Sequence, residues 1–143
     1  LNASVARDIE SGVDRADIIS CATLSQKPMV LGEWLRPGQH LDLIGSFTPE
    51  MRETDDIAMR ISEVFIDVET ALTESGDICQ PITNGGIQIA GTLTELCRGR
   101  HPGRTSNLSI TVFKAVGTAL EDLAAASLVY DRWKGAAKIS NIQ

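Results

Sequence analysis

Short apolar runs alternate with polar loops and helical spacings along most of the chain. Val5, Ile9 and Val13 recur every four residues, the spacing of one helix face. Asp17 then leads into Ile18-Ile-Ser-Cys-Ala22, an apolar run of strand length bounded by Thr23, Ser25 and Gln26. Gly32 to Gly38 allows at most a helical turn, because Pro37 disfavours helix at Arg36 and Gly38 suits a turn. His40 to Ile44 is a second strand that breaks at Gly45 into a polar loop. Thr54 is the expected N-cap of a helix running to about Ser62, with Asp55 and Asp56 in its first turn. Val64 to Asp67 reads as a third strand, and Val68 to Ser75 as a helix closed by Gly76 in the left-handed conformation. From Gly76 to Gly103 the density of Gly and Pro predicts loops around one short helix, Thr92 to Arg98. Ser109 to Phe113 is the last strand. Thr118 to Trp133 is a longer helix with Ala119, Leu123, Ala126, Tyr130 and Trp133 on one face, and the tail after Lys134 is expected to fray.

Strands that alternate with helices at this spacing predict an α/β fold built on a parallel sheet with right-handed crossovers. Loops at the carboxyl ends of such strands are where ligands bind, which directs attention to the stretch from Leu41 to Asp56. The chain has 143 residues, 43% of them hydrophobic and 22% charged, within the range of one globular domain. Its first residue is Leu1 and a helical pattern precedes the first strand, so the chain is expected to open part-way through a fold.

A net charge of −6 and scattered Lys and Arg argue against a nucleic-acid partner. No apolar run approaches the roughly 20 residues of a membrane span, and no leader pattern is present, so the expectation is a soluble, cytoplasmic protein. Cys21, Cys79 and Cys97 are odd in number and widely spaced, which fits buried free thiols better than disulfides or zinc ligands. No metal site is implied. The Gly-x-Gly-x-x-Gly turn, the Gly-x-x-x-x-Gly-Lys loop, the Gly-x-Ser-x-Gly elbow and the His-Glu-x-x-His helix are all absent from the sequence. His40 sits at the amino end of its strand, roughly 16 Å from the expected site, which excludes it as an acid-base group. His101 reads as an exposed loop residue, and Glu50, Glu53, Asp55 and Asp56 as helix-initiating, solvated acids.

Four blocks of sequence narrow the reading: Ala16-Asp-Ile-Ile-Ser-Cys-Ala-Thr23, Gly32-Glu-Trp-Leu-Arg-Pro-Gly-Gln-His40, Gly45-Ser-Phe-Thr-Pro-Glu-Met-Arg-Glu53 and Phe113-Lys-Ala-Val-Gly-Thr-Ala-Leu-Glu-Asp122. In this order and spacing they resemble the ornithine cyclodeaminase and mu-crystallin family, over about Ala16 to Asp131. The resemblance implies a Rossmann-like domain over 1–113, the second half of a dinucleotide-binding unit, and a helix over 114–143 that returns to a dimerisation and substrate domain. It also implies NADH or NADPH as cofactor, a homodimer, and a chain that is inactive by itself.

By the same resemblance Thr23, Leu43, Ile44, Gly45, Lys114 and Ala115 lie on the cofactor side, and Phe47, Thr48, Arg52 and Val116 on the substrate side. Each has a plainer alternative. Thr23 can bond its own turn, with Cys21 as the contact instead; Gly45 can be a turn glycine. Lys114 can be a solvated surface lysine, Thr48 can cap the loop, and Arg52 can form a surface ion pair with Glu50 or Glu53. Gly117 would permit a sharp entry into the last helix. Members that cyclise ornithine carry an Asp at the position of Phe47, and a phenyl ring cannot accept a proton. The pattern therefore resembles members that reduce Δ1-pyrroline-2-carboxylate or Δ1-piperideine-2-carboxylate to proline or pipecolate. A cyclodeaminase, or a mu-crystallin-like protein that binds nucleotide and a small ligand without catalysis, are the alternatives.

Overall fold

A computed structural model describes residues 2–140. Its elements are α1 (Ile9–Arg15), β1 (Ile18–Cys21), a 3-10 turn (Gly32–Trp34), β2 (His40–Leu43), α2 (Asp56–Arg60), β3 (Ser62–Ile66), α3 (Ala71–Glu74), α4 (Gly76–Thr83), β4 (Ile89–Thr92), α5 (Leu93–Cys97), β5 (Ile110–Lys114) and α6 (Ala119–Ser140). The five strands form one sheet in the order β1-β2-β5-β3-β4. Every pairing is parallel, as the alternation of strands and helices predicts. The last strand in sequence therefore lies at the centre of the sheet.

Register and the two-residue period of a strand divide the sheet into two faces. Ile19, Leu41, Val112 and Val64 form one row across it, and Cys21, Leu43, Lys114 and Ile66 form the next on the same face. These rows pack on Val13, Val30, Met59, Ala71 and Ile78 to make the core. Lys114 belongs to that buried set because it follows Val112 by two residues. The opposite face carries Ile18, His40, Thr111 and Glu63, then Ser20, Asp42, Phe113 and Phe65. It is only partly covered: α5 brings Leu93 and Leu96 over Phe65 and Phe113 around an open cavity of about 420 Å³, while Ile18 is 69% exposed.

Several local expectations change. Val5 is exposed and α1 starts only after Asp8, whose side chain accepts from Ser11 N. Asp55, not Thr54, caps α2 by accepting from Ala58 N, because Thr54 is buried beside Asp77. Gly76 opens α4 instead of closing a helix; a Cβ there would overlap the carbonyls of Met51 and Pro49. The left-handed position falls to Gly85, at φ 71°. The loop expected after Gly76 is helix α4 with Pro81 inside it, since burying Ile78 and Pro81 outweighs one lost backbone hydrogen bond. Strand β4 also lies within the expected loops. Helix α5 has a capping box of Thr92 and Glu95 and ends at Arg98, so the Thr92 to Arg98 prediction includes its caps.

Helix α6 continues past Lys134 to Ser140, where a frayed tail is expected; 141–143 lie outside the described residues. No described helix is long and apolar enough to cross a membrane. Cys21 is buried, but Cys79 is half-buried and Cys97 is exposed, against the expectation of three buried thiols. His101 is half-buried with its ring edge-on to Phe65 at 5.1 Å, rather than free in a loop.

Candidate functional site

Because all strands are parallel, Cys21, Leu43, Lys114, Ile66 and Thr92 end at one edge of the sheet. The loops after β1, β2 and β5 emerge there side by side, and they carry the residues expected on the cofactor side. Between β1 and β2 the ladder continues as far as Ile44 N donating to Cys21 O at 2.8 Å. Beyond that point a side chain takes over. Glu53 is fully buried, its Oε1 accepting from Thr23 N at 2.7 Å and Thr23 Oγ1 at 2.9 Å, its Oε2 from Gly45 N at 2.8 Å. Glu53 is thus a buried bracket between two loops, not a solvated acid at a helix start.

Gly45 owes its identity to this contact. A Cβ at Gly45 would overlap the Thr23 backbone and Glu53 Oε1, so the close approach that excludes a side chain is made by the protein itself. Its φ is not in the left-handed region, so it is not a turn glycine in that sense. Thr23 does bond its own turn, accepting from Ser25 N at 3.3 Å, while its hydroxyl also donates to Glu53.

A second buried carboxylate anchors the first. Asp77 Oδ1 accepts from Glu53 N at 2.9 Å and Thr54 N at 3.0 Å, while Oδ2 has no hydrogen-bond partner among the described residues. Burial pushes the Asp77 carboxyl above its ordinary range. Arg52 completes this layer. Its guanidinium donates to Thr54 O, Gln80 Oε1 and Asp56 Oδ1 and lies 3.5 Å from Asp77 Oδ1. Arg52 is buried, so neither a substrate-side role nor a surface pair with Glu50 or Glu53 fits it.

The β5 loop is held from another side. Asp67, just past β3, accepts from Val116 N at 2.9 Å and Gly117 N at 2.7 Å through Oδ2. Gly117 takes φ 81°, the sharp exit toward α6 that its position predicts. Lys114 is fully buried and its Nζ donates to Leu43 O at 3.1 Å, which excludes the solvated alternative. Burial pushes the Lys114 ammonium below its ordinary range, and Asp77, Glu53 and Asp67 oppose that shift. The Leu43 carbonyl also accepts from Ala115 N at 3.0 Å, so it serves the chain's own packing. Burial, reinforced by Glu53 and Asp77, pushes the Cys21 thiol up to about 11. A thiol so held is an inert core group at neutral pH.

The exposed side chains next to the strand ends are neutral, while Lys27 and Glu50 are exposed farther along the β1 and β2 loops. Ile44 is 42% and Phe47 47% exposed, Ala115 and Val116 are half-buried, and Thr48 closes its loop through its carbonyl, which accepts from Met51 N and Gly76 N. Beside the rim an open groove of about 440 Å³ runs over the edge strand β1, lined by Ile9, Val13, Cys21, Thr23 and Glu53 among others. His40 opens β2 on the opposite face, its Nδ1 2.8 Å from Thr111 Oγ1, far from these loops. Among the described residues no group of three or more His, Cys, Asp or Glu is placed to hold a metal. The arrangement can position a flat neutral group against apolar side chains and backbone. Its buried charged groups are engaged with one another and with backbone and side-chain groups of the loops.

Sequence reasoning foresaw the loops but not the groups that hold them. Glu53 and Asp67 bond backbone N–H groups, which every residue carries, so their partners leave no signature of residue type. The two-residue step from Val112 to Lys114 was a usable signal for burial.

Comparison with known proteins agrees with the sequence blocks. The model of the ornithine cyclodeaminase/mu-crystallin family matches residues 1–137. The Δ1-pyrroline-2-carboxylate reductase of Paracoccus denitrificans is 43% identical over 126 residues, covering 85% of this chain and 40% of the relative. The ketimine reductase mu-crystallin of Mus musculus is 39% identical over 130 residues, covering 90% of this chain and 40% of the relative. The fold superimposes on Thermococcus litoralis Δ1-pyrroline-2-carboxylate reductase, solved with NADH and L-proline, with a TM-score of 0.85 and 34% identity, over 92% of this chain and 42% of that one. The chain spans about two fifths of the length of these relatives.

Proposed function

We propose, from the premise that this chain belongs to the ornithine cyclodeaminase/mu-crystallin family, that it supplies the nicotinamide side of an NAD(P)H-dependent reductase of cyclic ketimine carboxylates. The substrate is Δ1-pyrroline-2-carboxylate or Δ1-piperideine-2-carboxylate, and the product proline or pipecolate. The observation that carries the reading is the rim of the sheet: three loops are fixed by buried carboxylates, and the exposed side chains at the end of β2, Ile44 and Phe47, are apolar. Such a rim suits the flat ring and neutral amide of a nicotinamide. It does not suit a pyrophosphate, since Glu53, Asp67 and Asp77 lie beneath it against only Lys114 and Arg52.

When bound, reduced nicotinamide would supply the hydride for the C=N carbon of the substrate, taken as the imine already protonated on nitrogen, and leave as the oxidised cofactor. The chain's part is alignment and water exclusion. Thr23, Ile44, Gly45 and Ala115 bound the cofactor side through backbone and small side chains. Leu43 and Lys114 act from beneath, fixing the height of the β2 and β5 ends. Phe47, Thr48 and Val116 face the substrate; Arg52 is left out because its donors are engaged. Phe47 stands where cyclising members carry Asp, which favours reduction of a preformed imine over cyclodeamination of ornithine.

The same reading assigns 1–113 to the partial dinucleotide-binding domain and 114–143 to the element that packs on a dimerisation and substrate domain. A homodimer in the cytoplasm goes with it. The exposed Leu123, Tyr130 and Trp133 of α6 support that packing role.

The experiment is an absorbance trace of reduced nicotinamide with the full-length protein and each ketimine. Imine-dependent oxidation is expected, and ornithine with oxidised cofactor should release no ammonia. Tight nucleotide binding without oxidation would favour the ligand-carrier alternative instead.

A further inference from the structure

Inside the protein, the Glu53 carboxylate joins the two cofactor-side loops where they leave the first two strands, and one backbone bond, Arg52 N to Ser25 O at 2.8 Å, ties them farther along. Its Oε1 takes both donors of Thr23 and its Oε2 takes the amide of Gly45. It has no slack of its own, because its amide donates to Asp77 Oδ1 and its carbonyl accepts from Met29 N at 2.9 Å and Val30 N at 3.0 Å. The last ladder bond between the strands is Ile44 N to Cys21 O, and beyond it the carboxylate takes the amides of Thr23 and Gly45.

We propose that Glu53 is a positioning residue whose carboxylate sets the spacing between the β1 and β2 loops, and through it the alignment of the nicotinamide with the imine carbon. The proposal rests on the reductase reading and deepens it. A carboxylate is needed because all three groups aimed at it are donors, and only an acceptor on both oxygens satisfies them. In Glu53→Gln one acceptor becomes an N–H facing another N–H, so one loop must swing away. In Glu53→Asp the bracket is shorter by one methylene, and the loops are drawn or released without loss of charge. Misplacement of about 1 Å costs on the order of 100-fold in rate where geometry governs the chemical step.

The test uses the full-length protein and three readouts. For Glu53→Gln, kcat for ketimine reduction is expected to fall on the order of 100-fold, while nucleotide affinity changes by less than about threefold, since uniform binding is separable from alignment. The isotope effect with reduced nicotinamide deuterated at the transferred position should rise, because hydride transfer becomes slower than the other steps. Glu53→Asp should fall between the two and guards against a Gln variant that does not fold. An unchanged kcat in either folded variant overturns the proposal. So does a rate that drops in step with the folded fraction at constant isotope effect, which is the mark of a merely structural acid.

Amide exchange separates this failure from failure of the reductase reading. A wild type that oxidises no cofactor with either ketimine sinks that reading and the alignment role with it. The bracket itself is then read from the Thr23 and Gly45 amides, which should exchange at least about tenfold faster in Glu53→Gln than in wild type. Equal exchange would overturn the bracket as well.

Discussion

The carboxyl edge of the sheet buries charge, and helix α6 exposes apolar surface. At the edge Glu53, Asp77 and Lys114 are inaccessible, each answered by amides, carbonyls or opposite charge. Along α6, Leu120, Leu123, Leu128, Val129, Tyr130 and Trp133 all stand in solvent, Trp133 at 65% exposure. Apart from Asp77 Oδ2, the first region is satisfied by groups of this chain, so its stability is a property of the domain. The second presents apolar area with nothing on it among the described residues, beyond the Tyr130 and Trp133 rings lying 6.1 Å apart. Burial tells which elements are finished by the chain's own contacts and which await a partner surface.

The difference is tested most strongly at Asp77. Asp77→Ala leaves the amides of Glu53 and Thr54 without an acceptor and removes counter-charge from Arg52, and it should destabilise the domain by about 3–5 kcal/mol. A urea titration that gave a loss of unfolding free energy under a fifth of that would break the picture of a self-contained edge. Next is Gly45→Ala, whose Cβ must push the Thr23 loop and Glu53 aside. A cost of about 1–3 kcal/mol is expected from the same titration.

The pH dependence sharpens the same region. Burial raises the Asp77 carboxyl, so the folded state holds that proton more tightly than the unfolded chain. Ionised Asp77 therefore opposes folding above its folded-state value, and this cost is relieved as pH falls through that value toward 3.8. Relative to Asp77→Asn, whose amide does not titrate, wild type should gain stability on acidification across that window. A difference between the two that stays flat with pH, in paired urea titrations, would contradict it.

The smallest effect belongs to α6. Leu123→Ser with Trp133→Ser should leave domain stability within about 0.5 kcal/mol, as for surface positions. Sedimentation of the full-length protein should show weaker association. A large loss of domain stability would mean that α6 is packed in solution and that the comparison is wrong.

Strands β1, β2, β3 and β5 were legible because a half-buried strand must alternate or run apolar, and Ile19, Leu41, Val64 and Val112 carry that requirement on their side chains. Strand β4 was not, because Ile89-Ala-Gly-Thr92 offers a single large apolar residue. Helix α4 was hidden by Gly76 and Pro81, whose local preferences are overridden by packing. The rim loops were legible from strand ends alone. Glu53 was misjudged, and the solvated alternatives for Arg52 and Lys114 fall, for one reason: a charged residue is solvated unless something specific holds it, and what holds these is backbone, joined for Arg52 by Gln80, Asp56 and Asp77.

Among the described strands, the central one is also synthesised last. Until β5 leaves the ribosome, β1 with β2 and β3 with β4 are two separate ribbons that share no hydrogen bond, each with an unsatisfied inner edge. Arrival of residues 110–114 joins both ribbons in one step, since β5 pairs with β2 and β3 together. A chain halted before Ile110 would expose two sticky edges, which makes the interval before that strand emerges the one in which nascent chains most need a chaperone.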